Sequence, residues 1–172
     1  MNKILNLYQT CPSCQSQLTI NYNSAKCPQC DFSFYLNPAP CVMVLIANDQ
    51  DQMLWTIRGM EPQKGKWDLP GGFVNPNETI EQAAIREVKE ELNLEVEITK
   101  LLGNVPDFYG PLGQPTLNFI FLVKVIGGEL KPQDDVAEIN WLKVSSLPSP
   151  IAFKNATIAI KRYQEYQRNY HV

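Results

Sequence analysis

The chain has 172 residues, of which 44% are hydrophobic and 19% are charged, and its formal net charge is −3. This composition is typical of a globular protein that buries one ordinary core and carries a small appendage. There is no basic run and no apolar stretch of membrane-spanning length, which argues against nucleic acid or a membrane as the main partner. The first ten residues show no signal-peptide pattern, so we expect a cytoplasmic protein.

Four of the five cysteines form two C-x-x-C pairs separated by twelve residues. Paired thiolates at this spacing are typical of a structural zinc ribbon. Disulfides would need an oxidising compartment, and a thioredoxin-like redox pair would need a strand–helix setting, and the sequence indicates neither. We predict a ribbon over residues 1–36 that folds around Zn²⁺. Its ligands would be Cys11, Cys14, Cys27 and Cys30.

Residues 37–40 read Asn-Pro-Ala-Pro and predict a short, stiff linker at the start of a second domain over residues 37–172. An apolar run from Cys41 follows and predicts a buried strand, in which the cysteine acts as a small hydrophobe. A polar turn at 48–51 leads into a second strand at 52–58. We predict that these two strands form a hairpin.

The sequence pattern in the rest of the second domain predicts alternating strands and helices, which indicates an α/β sandwich. Gly and Pro are frequent in residues 103–115, and they predict a mobile loop near the site. The closing helix is expected to turn Ile158, Tyr163 and Tyr166 inward. Further strands are predicted at 67–69, 95–102, 116–126 and 137–144, and helices at 78–92 and 155–170.

A glycine turn followed by an acidic helix is the most informative stretch of the chain. Gly71 and Gly72 can adopt backbone angles that other residues resist, so the chain can turn tightly ahead of the helix. Within the helix, Glu87, Glu90 and Glu91 are spaced so that they share one face. Crowded carboxylates repel one another, whereas hard oxygen ligands held close together are what Mg²⁺ or Mn²⁺ needs.

Two interpretations of this acidic face follow from the helix pattern. It could be a solvated charged surface steadied by Arg86 and Lys89, as charge runs usually are. It could instead be a divalent-metal site, and the glycine turn favours this because it brings backbone groups to where a bound phosphate would lie. The single histidine, His171, is next to last in the sequence. Histidine-based catalysis is therefore excluded, and the chemistry must rest on carboxylates and metal.

The stretch from Gly72 to Leu94 also matches a known signature, G-x5-E-x7-R-E-U-x-E-E-x-G-U, where U is a bulky aliphatic residue. In this stretch the chain resembles the Nudix hydrolases. One position departs, because Asn93 stands where the family has its second glycine. Asn is the next residue that tolerates the left-handed conformation at a helix end. The matching residues are Gly72, Glu78, Arg86, Glu87, Val88, Glu90, Glu91 and Leu94.

The resemblance implies the Nudix α/β/α sandwich and hydrolysis of a nucleoside diphosphate linked to another group, so the partner would be a small nucleotide. It also implies that Arg86 orients the acidic trio, and that Glu78 lies at the turn, behind the metal ligands or as a cap. Nudix pyrophosphatases are often dimers, which leaves a homodimer open for this chain. The implied ligands of Mg²⁺ or Mn²⁺ are Glu87, Glu90, Glu91 and the backbone carbonyl of Gly71.

In this family a later loop often contributes a further acid, as base or as metal ligand. Asp135 is the first candidate and Glu138 the second, although the loop around Asp135 would suit a plain solvated turn equally well. Arg58, at the end of a strand, is expected to contact a phosphate. Phe73 or Tyr109 is expected to stack on a base, with ordinary packing as the alternative for both rings.

The zinc ribbon ahead of the domain makes the chain similar to the NADH pyrophosphatases of this family. Those enzymes carry an S-Q-P-W-P-F-P-type motif after the signature, whereas this chain reads N-V-P-D-F-Y-G-P-L-G-Q-P. We therefore favour ADP-ribose or a related nucleotide sugar as the substrate, with NADH or another dinucleotide as the alternative.

Two other classes of protein compete with a hydrolase. A Nudix sensor would bind a nucleotide without cleaving it, with the ribbon docking a partner, but the intact E-x-x-E-E cluster argues against this. An isomerase of the same fold, acting on isopentenyl diphosphate, would need a catalytic cysteine, and Cys41 at the start of a strand is poorly suited to that role.

Overall fold

The computed structural model of the chain describes residues 3–170 and divides into two units. The first unit comprises the N-terminal segment up to Ala39 together with Phe108–Thr116, and the second comprises Pro40–Asp107 and the chain from Leu117 onward. The division into residues 1–36 and 37–172 stays a prediction, since the first unit also takes in a later segment. His171 lies outside the described residues.

The first unit is built on a three-stranded antiparallel sheet with a small apolar core. The strands β1 (Thr19–Ile20), β2 (Ser24–Lys26) and β3 (Ser33–Tyr35) lie in that order. The rings of Tyr8 and Phe34 stack with their centroids 4.4 Å apart. Because strands this short and a core this small supply little stability, the unit needs a further stabilising element. The buried core residues are Leu5, Cys11, Leu18 and Ala25.

The second unit contains two helices and two three-stranded sheets, which makes it a mixed α/β structure. The sheets have the strand orders β4-β8-β7 and β6-β5-β9, and β5 is antiparallel to both of its neighbours. The elements are β4 (Ala39–Ile46), β5 (Gln52–Arg58), β6 (Trp67–Asp68), α1 (Ile80–Leu92), β7 (Leu94–Tyr109), β8 (Gln114–Gly128), β9 (Val136–Lys143) and α2 (Lys154–Tyr170).

The second unit packs around β4, where every residue from Cys41 to Ile46 is buried. Alternate side chains of a strand point to opposite faces, so β4 contributes to two apolar clusters. Val42 and Val44 lie in the cluster that contains the buried face of α1, and Met43 and Leu45 lie in the cluster that contains α2. Coverage on both faces explains why the sequence shows a continuous apolar run here instead of an alternating one.

The predicted hairpin between β4 and β5 is wrong beyond a single antiparallel bridge between Ala47 and Met53 at the turn. The chain does reverse through the polar turn, where Asn48 Oδ1 accepts hydrogen bonds from the N–H of Gln50 and of Gln52 at 3.0 and 3.1 Å. However, β4 joins the sheet of β8, whereas β5 pairs with β6 and β9. Both strands have successive buried residues, and separate sheets allow each to be covered on two faces.

The predicted mobile loop at residues 103–115 is also wrong, because β7 continues to Tyr109 and β8 begins at Gln114. The turn between them is short and is closed by a hydrogen bond from Gly113 N–H to the carbonyl of Gly110 at 3.1 Å. Pro106 reads as a loop signal in sequence, yet β7 is an edge strand, where a missing N–H is tolerated.

Helix α1 has well-defined ends, and both follow from local side-chain chemistry. The Thr79 hydroxyl accepts from the N–H of Gln82 at 3.2 Å, and the Gln82 side-chain oxygen accepts from the N–H of Thr79 at 2.8 Å. This capping box starts the helix at Ile80, two residues later than predicted. Asn93 ends it with a φ of 55°, which confirms that asparagine takes the left-handed position usually given to glycine.

Helix α2 buries a face that differs in part from the predicted one. Tyr163 is buried as expected, but Ile158 is 38% exposed, and its place in the core is taken by Ala159 and Ile160. The buried positions follow the helical period from Ala156 onward, and Ile158 falls between them. Within residues 3–170, no helix is long and apolar enough to cross a membrane.

Candidate active site

The glycine turn ahead of α1 is fixed to β4 by backbone hydrogen bonds. The N–H of Val42 donates to the carbonyl of Gly72, and the N–H of Val44 donates to the carbonyl of Pro70, both at 2.8 Å. Gly71 has a φ of +139°, and a Cβ there would overlap the backbone carbonyl of Val42. The turn therefore needs glycine for its conformation and for its close approach to the strand.

Replacing Gly71 with alanine tests this constraint. We expect Gly71→Ala to lower the free energy of unfolding by about 2–4 kcal/mol, because backbone strain and overlap with a backbone atom add together. Gly65→Ala is the matched control, since Gly65 also has a positive φ (+78°) but no heavy atom within 4 Å of the added Cβ. Urea unfolding of both variants measures the difference, and equal losses would show that close packing against β4 is unimportant.

A network of ion pairs around Arg86 organises the acidic face of α1. Arg86 Nη2 donates to Glu78 Oε1 at 2.6 Å and Nε donates to Glu78 Oε2 at 3.0 Å, which is a bidentate pair. Arg86 Nη1 lies 2.8 Å from Glu87 Oε1 and also 2.8 Å from Glu90 Oε2. Nη2 further donates to the carbonyl of Phe73 at 3.0 Å. One guanidinium thus ties the helix carboxylates to the segment that follows the glycine turn.

Glu91 is held separately, in a buried position behind the turn. Its side chain is 6% exposed, and Oε2 accepts from the N–H of Gly71 at 3.0 Å. Burial raises the pKa of this carboxyl well above its ordinary value, and the negative charges of Asp135, Glu87 and Asp68 raise it further. Burial also raises the pKa of Glu87, which Arg86 partly opposes. Negative charge on Glu91 is therefore unfavourable unless a cation joins it.

Asp135 lies close enough to this cluster for its charge to raise the pKa of both Glu87 and Glu91. It precedes β9 and is partly buried. Glu138, the second candidate for the additional acid, is exposed on β9 opposite Ile57. The position of Asp135 therefore suits the additional acid better than that of Glu138, and the role itself stays a prediction.

Asp68 is a site residue that we did not predict from the sequence. It is 7% exposed on β6, and its Oδ1 accepts from the N–H of Leu69 at 2.9 Å. Burial raises its pKa to about 6, although the neighbouring Arg58 opposes this. The sequence feature that could have indicated Asp68 is its position directly before the Leu-Pro-Gly-Gly of the turn.

The three residues expected to bind substrate have different surroundings. Arg58 pairs with Asp68 Oδ2 at 3.2 Å. Phe73 has a 38% exposed side chain, and its backbone forms a bridge with Cys41. Tyr109 ends β7 and belongs to the first unit. Their contacts with a phosphate or a base stay predictions.

Comparison with known proteins identifies the family. The model of the NUDIX domain matches residues 37–163. The chain belongs to the Nudix family. This confirms the resemblance seen in the glycine turn and the acidic helix, the α/β/α sandwich fold, and the assignment to hydrolases that use divalent metals and act on small nucleotide substrates.

Individual Nudix relatives point in the same direction. An ADP-ribose pyrophosphatase of Methanocaldococcus jannaschii is 39% identical over 138 residues, which is 79% of each chain. An NAD-capped RNA hydrolase NudC of Vibrio atlanticus is 30% identical over 141 residues, covering 80% of this chain, but this chain spans only 50% of its length. Among solved structures, a NUDIX hydrolase of Nitrosomonas europaea aligns with a TM-score of 0.74 and 27% identity, covering 94% and 93% of the two chains.

The carboxylates of the Nudix helix fit a divalent metal by their chemistry, although the ligand oxygens of Glu87, Glu90 and Glu91 do not all lie within 4.8 Å of one another. Glu91 is a desolvated donor whose charge is unfavourable without a cation, Glu87 is a buried donor that Arg86 partly compensates, and Glu90 extends toward solvent. Hard oxygen donors with this excess of negative charge suit Mg²⁺ or Mn²⁺. A Cβ on Gly72 would lie 2.5 Å from Glu87 Oε1, so this carboxylate would have to move to admit one. The glycine turn therefore packs directly against the carboxylate of the helix.

In the described part of the chain, four cysteines form the one group of three or more metal-binding side chains whose ligand atoms lie within 4.8 Å of one another. The Sγ atoms of Cys11 and Cys30 are 3.6 Å apart, and those of Cys14 and Cys27 are 3.4 Å apart. Zn–S bonds of about 2.3 Å give a tetrahedral edge of about 3.8 Å, so these separations fit a four-thiolate site. A hydrogen bond from the Ser16 hydroxyl lowers the pKa of Cys27 to about 6.

The pKa of Cys41 is shifted in the opposite direction to that of Cys27. Cys41 is buried in β4, and burial, together with the charge of Glu87, raises its pKa to about 12. A nucleophilic or acid–base cysteine needs an accessible thiol with a lowered pKa. The structure therefore argues against the isomerase, which would depend on this cysteine.

Proposed function

We propose that this Nudix protein hydrolyses ADP-ribose, or a closely related nucleoside diphosphate sugar, to a nucleoside monophosphate and a sugar phosphate. For ADP-ribose, water adds to one phosphorus of the diphosphate, the bond from that phosphorus to the bridging oxygen breaks, and AMP and ribose 5-phosphate result. The observation that carries this proposal is the cluster of buried and Arg86-linked carboxylates directly behind the glycine turn. The similarity to an ADP-ribose pyrophosphatase supports the choice of substrate.

Each residue of the cluster has a proposed role. Glu87, Glu90 and Glu91, with the backbone carbonyl of Gly71, would hold Mg²⁺ or Mn²⁺, which when bound neutralises phosphate charge and lowers the pKa of a coordinated water. Arg86 fixes the positions of Glu87 and Glu90. Glu78 anchors Arg86, and Asp135 accepts the proton of the attacking water.

The four-cysteine group of the first unit would hold a structural Zn²⁺. All four positions of the tetrahedron would be filled by thiolates, so this metal would leave no coordination site for substrate. Its role would be to stabilise a unit whose apolar core is small. Phe73 and Tyr109 are the candidates for contacts with the base, and Glu138 is the second candidate for the additional acid.

A substrate screen tests the proposed function. With Mg²⁺ or Mn²⁺, ADP-ribose should give the highest kcat/KM, and NADH and NAD-capped RNA are the comparison substrates because of the similarity to NudC. Products are identified by anion-exchange chromatography. Hydrolysis of NADH or capped RNA in preference to ADP-ribose would favour the dinucleotide alternative. Nucleotide binding without turnover of any diphosphate would favour a sensor and would refute the hydrolase.

A further inference from the structure

The guanidinium of Arg58 is a meeting point for four separate segments of the second unit. At the end of β5, its Nη1 lies 3.2 Å from Asp68 Oδ2 on β6, and its Nη2 lies 3.6 Å from Asp135 Oδ2 before β9. Its Nε donates to the carbonyl of Pro62 at 2.8 Å. The ring of Phe153, ahead of α2, lies 5.4 Å below the guanidinium carbon. All three nitrogens of Arg58 thus already have an acceptor within 3.6 Å.

These contacts make Arg58 poorly suited to binding a substrate phosphate. Its side chain is 12% exposed, and that of its partner Asp68 is 10% exposed. Three of the five N–H groups of Arg58 already face an acceptor, and the low exposure of the guanidinium leaves little surface on which a phosphate could bind. The surroundings therefore favour a role inside the protein.

The partners of Arg58 connect it to the acidic cluster. The segment before Asp135 is joined to the end of α1, because the N–H of Gln133 donates to the carbonyl of Glu91 at 2.8 Å. The charge of Asp135 therefore lies near Glu87 and Glu91, and mutual repulsion drives it away from them. The pair with Arg58 opposes that repulsion, and the carbonyl of Asp135 is held as well, by the N–H of Gly59 at 2.6 Å. A Cβ on Gly59 would lie 2.9 Å from the same carbonyl oxygen. Backbone and side chain of Asp135 are thus both held from the end of β5.

We propose that Arg58 is a positioning residue that holds the Asp135 carboxylate against the glutamates of α1, with Asp68 orienting the guanidinium. The inference rests on the proposed hydrolysis, because it assigns Arg58 to the placement of the acid that accepts the proton. It replaces the phosphate contact expected from the sequence. A residue of this kind acts on kcat through Asp135 and leaves ground-state binding of the nucleotide unchanged.

A double-mutant cycle tests the proposal. Arg58→Met should lower kcat for ADP-ribose by about 10–100-fold, since a misplaced general base costs on that order. The affinity for uncleaved ADP-ribose without added Mg²⁺ or Mn²⁺, measured by calorimetry, should stay within about threefold because the phosphate contacts are untouched. In an Asp135→Asn background, Arg58→Met should cause little further loss, because both changes remove the same contribution.

Two further variants protect the test against a folding defect. Arg58→Lys keeps the charge but cannot serve two carboxylates and a carbonyl at once, so it should recover only part of kcat. Arg162→Met is the matched control, since Arg162 on α2 donates to the carbonyl of Leu102 at 3.4 Å and has no role in the proposed site. It should keep wild-type kcat.

Three outcomes would overturn the inference. A raised Kd for ADP-ribose with unchanged kcat would make Arg58 a phosphate ligand after all. Additive losses in the Arg58 and Asp135 double variant would show that Arg58 does not act through Asp135. Equal activity of Arg58→Met and Arg162→Met would show the same. If the wild-type chain hydrolyses no diphosphate, the proposed function fails and this catalytic role fails with it, whereas the other outcomes refute the role of Arg58 alone.

Discussion

Glu91→Gln should abolish most diphosphate hydrolysis while leaving the fold intact. The amide oxygen of glutamine can still accept from the N–H of Gly71, so the turn keeps its contact with α1. The negative charge that would hold the metal is lost, and we expect kcat to fall by about 100–1000-fold, as for removal of one strong electrostatic contact in an active site. Steady-state kinetics with ADP-ribose at saturating Mg²⁺ measures the effect.

The same variant should change the pH dependence of stability in a defined direction. Burial raises the pKa of Glu91 in the folded state above the ordinary value of 4.5, so the carboxyl is neutral in the fold at a pH where the unfolded chain has lost the proton. The stability contributed by the protonated form is complete below pH 4.5 and is lost as the pH rises through the raised pKa. Without added Mg²⁺ or Mn²⁺, Glu91→Gln should therefore have a higher Tm than wild type at pH 8, and the two should converge toward pH 4.5.

Glu81→Gln is the matched control for this experiment. Glu81 lies in the first turn of the same helix and is exposed, so its replacement should change neither kcat nor the pH dependence noticeably. A Glu91→Gln variant with wild-type turnover would remove Glu91 from the metal site. A Tm below that of wild type at pH 8 would show that the charge of Glu91 is compensated inside the protein.

Loss of the proposed zinc site should unfold the ribbon. We expect one zinc ion per chain in the wild type and almost none in Cys27→Ser, because the remaining three thiolates cannot close the tetrahedron. Structural zinc sites contribute an apparent binding free energy of about 10–16 kcal/mol, which exceeds what a core of this size supplies. Zinc content by mass spectrometry and limited proteolysis within residues 3–36 measure the two effects.

Cys41→Ala controls for the loss of a cysteine as such. Cys41 lies in β4 and not in the four-cysteine group, so this variant should keep its zinc and a protease-resistant ribbon. A wild-type protein that carries no zinc and still resists proteolysis in this segment would contradict the proposed site. In that case the apolar cluster around Leu5 and Leu18 would suffice to stabilise the unit.

The elements that could be predicted from the sequence are those whose signal is local. The acidic helix, its cap at Asn93 and the buried strand at Cys41 depend on period and on single-residue conformational preference, and each is present in the structure. The hairpin and the loop at 103–115 were predicted wrongly because they depend on which strands pair and on whether a proline lies at an edge. Neither property is encoded within a short window.

The same distinction applies to the site. The spacing of Glu87, Glu90 and Glu91 could be recognised because all three lie on one helix. The pair between Asp68 and Arg58 could not, because it depends on the register of β5 and β6, in which Thr56 lies opposite Asp68. Such a contact becomes visible only when neighbouring strands are aligned in space.

The attachment of the glycine turn to β4 has a consequence for the register of that strand. The backbone of β4 fixes Pro70 and Gly72, while the side chains of Val42 and Val44 lie in the cluster that contains the buried face of α1. One strand therefore sets the positions of both the turn and the helix. A shift of β4 by one residue would displace the turn and would move the side chains of Val42 and Val44 to the opposite face of the sheet, away from α1.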